Sequence, residues 1–257
     1  MNIKIVTVAL FFWYFQISIG QNNRLNTTNN IGWYNYFGTF KVAKSISIHT
    51  EYQFRRNKFL MERQQSLLRF GVNYQLNKKI QIRLGYAWIE TFPYGEIPIN
   101  GMGKDFTELR IFQMLTLTDK ISIVDFSHRF MLEQRWVGRY SNPNLTIEDE
   151  FPFSSRLRYM FRFQIPLKGA ETIDNTPYIA LYNELFIGFG KNVNSNVFDQ
   201  NRIGFLLGYR FNKNFRIEGG YLNQTLQYGR QIGSQNVFQN NNGFIINSNF
   251  NFDLTKK

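Results

Sequence analysis

The stretch His128-Arg-Phe-Met-Leu-Glu-Gln-Arg-Trp136 carries the densest set of chemically active side chains in this chain. On a strand, alternate residues share a face, so Asp125, Ser127, Arg129, Met131, Glu133 and Arg135 point one way, against Val124, Phe126, Phe130, Leu132 and Trp136. Glu133 and Arg135 then lie about 7 Å apart and reach partners on adjacent strands. Further along the chain, Arg156, Arg158 and Arg162 repeat the polar phase, with Arg69, Arg83, Arg202, Arg210 and Arg216 in equivalent positions. Two outcomes are open to such a set. The arginines cross-link to Glu51, Glu108, Glu133, Glu184 and Glu218 and close an interior, or they line water and favour anions. Closure by side chains is the expectation for a narrow barrel. The candidate polar cluster is Asp125, Arg129, Glu133, Arg135, Arg156, Arg158, Arg162, Glu184 and Arg202.

Other chemistry finds less support. Nucleophilic catalysis needs a hydroxyl or thiol within hydrogen-bond reach of a base. Ser127 and His128 are adjacent, so a regular strand turns them to opposite faces. His128 falls among apolar residues and His49 in a polar row with Glu51, and no third group is placed to orient either ring. Two separated histidines and no cysteine leave no metal-ligand spacing, no disulfide and no lipidation site. No catalytic residue, metal or cofactor is expected.

The elements that must position these residues alternate with a period of two. Ile46, Ile48, Thr50, Tyr52 and Phe54 share one face of a strand, opposite Ser45, Ser47, His49, Glu51, Gln53 and Arg55. The pattern recurs at Leu67 to Leu76, Ile80 to Glu90, Phe153 to Ile165 and Ile203 to Phe211. Ahead of it, Lys4, an apolar run from Ile5 to Ile19 and Ser18-Ile19-Gly20 fit a signal peptide over residues 1–20, leaving residues 21–257 as one domain. The run is short for a membrane-spanning helix, and no later stretch is long enough for one. A period-two alternation behind an export leader is the mark of a transmembrane β-barrel, apolar toward lipid and polar in the lumen. A soluble barrel with its apolar face inward would have to bury nearly all of an aromatic complement that reaches 18% of the chain. Trp33, Tyr34, Trp88, Trp136, Tyr178 and Tyr221 sit near strand ends, as residues of interfacial girdles do.

Connections alternate in length. They are tight near Lys44, Lys78, Asp119 and Lys213, and long near Lys58, Gly101, Asn144, Asn194 and Gln235, which orients short turns to the periplasm and long loops outside. The Asn- and Thr-rich segment from Gln21 to Asn30 reads as a flexible start. Phase slips near Phe112 and Gln113, as at a bulge. Eleven strands can be counted; bacterial single-chain barrels normally have an even number, so twelve strands are expected, with ten as the alternative. The net charge of +12 is scattered over polar strand faces, which argues for anionic lipopolysaccharide or anionic solutes as counter-ions and against nucleic acid.

The His128–Trp136 stretch, with Asn183-Glu184 before an apolar strand and Asn201-Arg202 opening the next, resembles domain of unknown function 2490, an uncharacterised family of Gram-negative outer-membrane barrels. The likeness covers most of the mature chain and implies an outer-membrane barrel, but brings no substrate or catalytic residue. One departure from barrels in general is the end of the chain, Phe252-Asp-Leu-Thr-Lys-Lys257, where a terminal aromatic usually serves as the assembly signal. The resulting expectation is an all-β, antiparallel barrel in the outer membrane, structural or transport-related, with an Arg/Glu-rich lumen. A small anion-preferring pore and a lipid- or lipopolysaccharide-modifying enzyme are the alternatives. Its partners would be outer-membrane lipid, lipopolysaccharide and, during insertion, the barrel assembly machinery.

Overall fold

The computed structural model describes residues 23–255, so the leader expected at residues 1–20 lies outside the described residues. Eleven strands form: β1 (Arg24–Lys41), β2 (Ile46–Asn57), β3 (Glu62–Gln75), β4 (Ile80–Thr91), β5 (Phe106–Ile121), β6 (Val124–Val137), β7 (Phe153–Pro166), β8 (Thr176–Phe189), β9 (Phe198–Asn212), β10 (Phe215–Ile232) and β11 (Gln235–Asp253). Each pairs with its sequence neighbours, and β1 meets β11 to close the barrel. Closure leaves no sheet edge unpaired, which is what a strand-built membrane protein requires.

The eleven segments countable in the sequence are therefore the strands of the barrel, and the twelfth is not found among the described residues. An odd number of alternating strands brings the first and last together in the same direction. The β1–β11 pairing is accordingly parallel, from Arg24 opposite Asn236 to Lys41 opposite Asp253, while every other pairing is antiparallel.

The alternation sets the faces of the wall. On β2, His49, Glu51, Gln53 and Arg55 are buried inside while Ile46, Tyr52 and Phe54 are exposed outside. Phe70, Val72 and Tyr74 of β3, Ile82, Leu84, Tyr86 and Trp88 of β4, and Ile203, Phe205 and Leu207 of β9 are likewise exposed. This is the inverse of a barrel folded around an apolar core: charge is inside and hydrocarbon is outside. Trp33 and Tyr178, expected in an interfacial girdle, instead point inward and are buried.

Several boundaries differ from the sequence expectation, each for a local reason. Residues 24–30 are not a flexible start but the first part of β1, because their amides pair with an equally amide-rich stretch of β11. Asn29 Nδ2 donates to Asn241 Oδ1 at 3.1 Å. The connection near Gln235 is not a long loop but a tight turn at residues 233–234, where Gly233 takes φ 59°. The turn expected at Thr118-Asp119-Lys120 falls at residues 122–123, with Ser122 at φ 56°, and β5 runs on to Ile121. β5 keeps its register through Phe112 and Gln113 on both sides, so the apparent phase slip is no bulge. Phe112 is an aromatic residue placed in the lumen, and the register shifts lie elsewhere, at Arg55/Arg56 and Phe186/Ile187 among other points.

Candidate functional site

The lumen is built around one carboxylate. Glu133 on β6 is fully buried and accepts Nη1 of Arg158 at 2.9 Å, Nε of Arg156 at 2.8 Å and Nη1 of Arg110 at 3.4 Å, with Nη2 of Arg69 at 4.0 Å. A lone carboxylate out of water is strongly disfavoured, and this one persists because guanidinium groups from the flanking strands β5 and β7, and from β3 farther round the wall, converge on it. The pattern spreads outward. Glu184 on β8 accepts Arg158 Nη2 at 2.7 Å and Arg129 Nη2 at 2.8 Å. Asp199 on β9 accepts Arg156 Nη1 at 2.9 Å and Arg135 Nη1 at 3.2 Å, while Glu108 holds Arg110 Nε at 2.6 Å and also pairs with Arg135. Glu51 takes Arg69 Nη1 at 2.7 Å and His49 Nε2 lies 3.1 Å away. The ring of Phe186, itself buried, lies beneath Arg158 and Arg202 at 4.4 and 4.6 Å.

Of the residues singled out from the sequence, Arg129, Glu133, Arg135, Arg156, Arg158 and Glu184 meet in this continuous layer. Arg162 forms a separate luminal pair with Glu218, at 2.7 Å, which Tyr178 and Asn247 also reach. Asp125 stands apart, lining the cavity near the short turns. Arg202 faces the lumen but has no carboxylate; its Nε donates to Gln200 Oε1 at 3.0 Å. Residues absent from the expected cluster complete the layer: Arg110, Asp199, Arg55 and Trp33. Arg110 was legible through its two-residue spacing from Glu108, had the phase of β5 been followed through Phe112. Asp199 sits where β9 shifts register against β8, and alternation cannot announce an inward residue there.

This layer divides the lumen. A cavity of about 520 Å³ opens toward the long loops and one of about 870 Å³ toward the short turns, and both are bounded by Gln53, Arg69, Arg158 and Arg202. The loop between β4 and β5 reaches across the upper mouth to the opposite wall. Tyr94 Oη donates to Gln239 Oε1 at 2.7 Å, Tyr228 Oη to the Ile97 carbonyl at 2.6 Å, and Arg230 Nη2 to the Pro98 carbonyl at 2.6 Å. Gly95, at φ 71°, packs so closely that a Cβ there would stand 2.4 Å from Asn29 Oδ1. Burial pushes the Tyr94 hydroxyl above its usual range, which keeps it a hydrogen-bond donor.

On the outer wall His128 stacks beside Tyr159 and its Nδ1 lies 2.9 Å from the Tyr159 hydroxyl, while Ser127 lines the lower cavity on the other face. The two are thus separated by the wall, as alternation required.

Comparison with known proteins gives a family and a fold likeness. A family model described as protein of unknown function (DUF2490) matches residues 30–235. No curated protein matches the chain. Among solved structures the chain is similar to one described as NanC porin structure in rhombohedral crystal form. The identity is 11% and the TM-score 0.44, over 82% of this chain and 93% of that one.

Proposed function

The chain belongs to the DUF2490 family of proteins of unknown function, and we propose that it is a transport-related outer-membrane barrel whose lumen admits small anions in preference to cations. The observation that carries this reading is the imbalance of the luminal charges. Inward-facing Arg55, Arg69, Arg83, Arg110, Arg129, Arg135, Arg156, Arg158, Arg162, Arg202 and Arg216 outnumber Glu51, Glu108, Asp125, Glu133, Glu184, Asp199 and Glu218. Fixed positive charge between low-dielectric walls concentrates anions and repels cations. Because paired side chains fill the middle of the lumen, conductance is expected to be low.

The exposed apolar belt of β2, β3, β4 and β9 suits hydrocarbon, and the long loops suit the outer side of the membrane. At that mouth Arg56, Lys58 and Arg63 surround the exposed Leu60 and Met61, a combination that fits the phosphates and acyl chains of lipopolysaccharide. Barrel assembly machinery would insert the chain, and no nucleic acid partner is expected.

Reconstitution of the folded, heat-modifiable protein into planar bilayers under a salt gradient tests the function. The expected result is a small conductance whose reversal potential reports anion preference. Cation preference, or no conductance at all from folded protein, overturns it. Fractionation tests location: the protein is expected with outer membranes and resistant to extraction by salt, and its release by salt would place it elsewhere.

A further inference from the structure

Most arginines of the central layer are engaged by a carboxylate, but two that line the long-loop cavity are not: Arg55, which is buried, and Arg202, which is half-buried and also borders the other cavity. Arg55 donates through Nε to Gln53 Oε1 at 2.9 Å and through Nη1 to Gln65 Oε1 at 2.6 Å, both neutral acceptors. Arg202 uses Nε on Gln200 Oε1, and its Nη1 and Nη2 make no hydrogen bond among the described residues. Both guanidinium groups lie over the same indole, with Cζ at 3.8 Å for Arg55 and 4.8 Å for Arg202 from the ring centroid of Trp33. Trp33 is itself fixed, since its Nε1 donates to Gln64 Oε1 at 2.8 Å. Two like charges therefore share one aromatic ring, and neither makes an ion pair among the described residues; Glu184, opposite Arg202 in the register, is held by Arg129 and Arg158.

An aromatic face attracts a cation, yet it does not neutralise a pair of them. Each guanidinium is a planar fork matched to a carboxylate or phosphate, and the cavity of about 520 Å³ is the one that both arginines line. The walls of that cavity include the uncharged Gln64, Gln224 and Tyr94, which can bond an oxyanion's remaining polar atoms, and its two carboxylates, Glu108 and Asp199, are each held by arginines.

We propose that Arg55 and Arg202, held against Trp33, form a binding site for a small oxyanion-bearing solute, a carboxylate or a phosphate, approaching through the long-loop mouth. This deepens the reading of the lumen as anion-preferring and rests on it for the route of access. The remaining arginines of the layer already hold Glu or Asp and would have to release it to bind a solute. The site is thus local, with the rest of the lumen supplying only the field.

The test is calorimetric titration of the full-length folded protein in detergent at fixed ionic strength with succinate, inorganic phosphate and the neutral succinamide. Saturable one-site binding of succinate or phosphate, and none of succinamide, is expected; which oxyanion binds more tightly identifies the chemistry. Arg202→Gln and Arg55→Gln should each weaken binding about tenfold or more. Arg202→Lys, which keeps the charge but not the fork, should fall between. Arg83→Gln, which removes an arginine of the other cavity bonded only to Asn73, should leave affinity within about twofold. Heat-modifiable migration certifies folding of each variant, and if Arg55→Gln does not fold, the Arg202 pair of variants decides. Absence of saturable binding by folded wild type, equal binding of succinamide, or undiminished binding in Arg202→Gln overturns the site. Binding that persists in a barrel without anion preference in bilayers would remove the broader reading and leave the site standing. Anion preference without such binding would do the opposite.

Discussion

Two walls of this barrel solve the same problem with different chemistry. From β5 to β9 the lumen is held by ions: Glu133, Glu184 and Asp199 are cross-linked to Arg110, Arg156 and Arg158. Across the closing seam of β10, β11 and β1 it is held by amides. Asn35 Nδ2 donates to Asn247 Oδ1 at 2.8 Å, and Asn241 Nδ2 to Gln224 Oε1 at 3.0 Å. Below the upper amide pairs sits an apolar cluster of Ile31, Trp33, Leu206, Leu222 and Ile245. A parallel pairing is slightly weaker per residue than an antiparallel one, so the seam gains from side chains that bond across it. An amide donates and accepts at once, and identical residues on both strands can pair without any charge to neutralise. The ionic wall has no such tolerance, because each carboxylate there compensates several arginines.

The largest effect should therefore follow from unbalancing the ionic wall. Glu133→Gln keeps shape but leaves Arg110, Arg156, Arg158 and Arg69 without their shared anion. A loss of about 3–5 kcal/mol is expected for a broken buried pair, measured as a lowered urea midpoint in detergent micelles. A loss smaller than that caused by any single amide substitution at the seam would contradict the contrast between the walls.

At the seam, Asn241→Leu removes a partner from Asn29, Gln224 and Tyr94 together. Stranding such groups costs about 1–3 kcal/mol, and the same unfolding assay should place this variant between wild type and Glu133→Gln. Tyr94→Phe is milder. It deletes the donor to Gln239 and loosens the loop over the mouth, at about 1 kcal/mol. Its sensitive readout is cleavage of residues 92–105 by added protease, which should quicken while the barrel itself stays intact. An unchanged cleavage rate would mean that the Tyr228 and Arg230 contacts suffice to hold the loop.

The two walls were also unequally legible. Strands β2, β3, β7 and most of β9 could be read with their faces correctly assigned, because apolar and polar residues alternate strictly there. Residues 24–30 and 235–243 could not, since Asn26, Thr28 and Asn30 on the outside are as polar as Thr27 and Asn29 on the inside. Without contrast between faces there is no period to detect. Within the lumen, the identity of the arginines was visible but their partnering was not. Whether Arg156 meets Asp199 while Arg202 meets only Gln200 depends on cross-strand register and on the shift at Phe186/Ile187. Trp33 illustrates the same limit, as its type suggested a membrane interface while its odd-numbered phase on β1 turned it inward.

The smallest net effect is expected where an outward pair of the ionic wall is replaced together, and it bears on what that surface faces. Gln113 of β5 and Gln134 of β6 are turned outward and bond reciprocally, Gln134 Nε2 to Gln113 Oε1 at 3.1 Å and Gln113 Nε2 to Gln134 Oε1 at 3.3 Å. Gln113→Leu alone leaves one amide without its partner, and in hydrocarbon that should cost about 1 kcal/mol or more. Replacing both by leucine removes donor and acceptor together, so stability in lipid vesicles should return to within about 0.5 kcal/mol of wild type. The order single below double, read from urea titrations of vesicle-inserted protein, is specific to an apolar surrounding. If water met this face, the single variant would be nearly silent and the double would add exposed hydrocarbon, reversing that order.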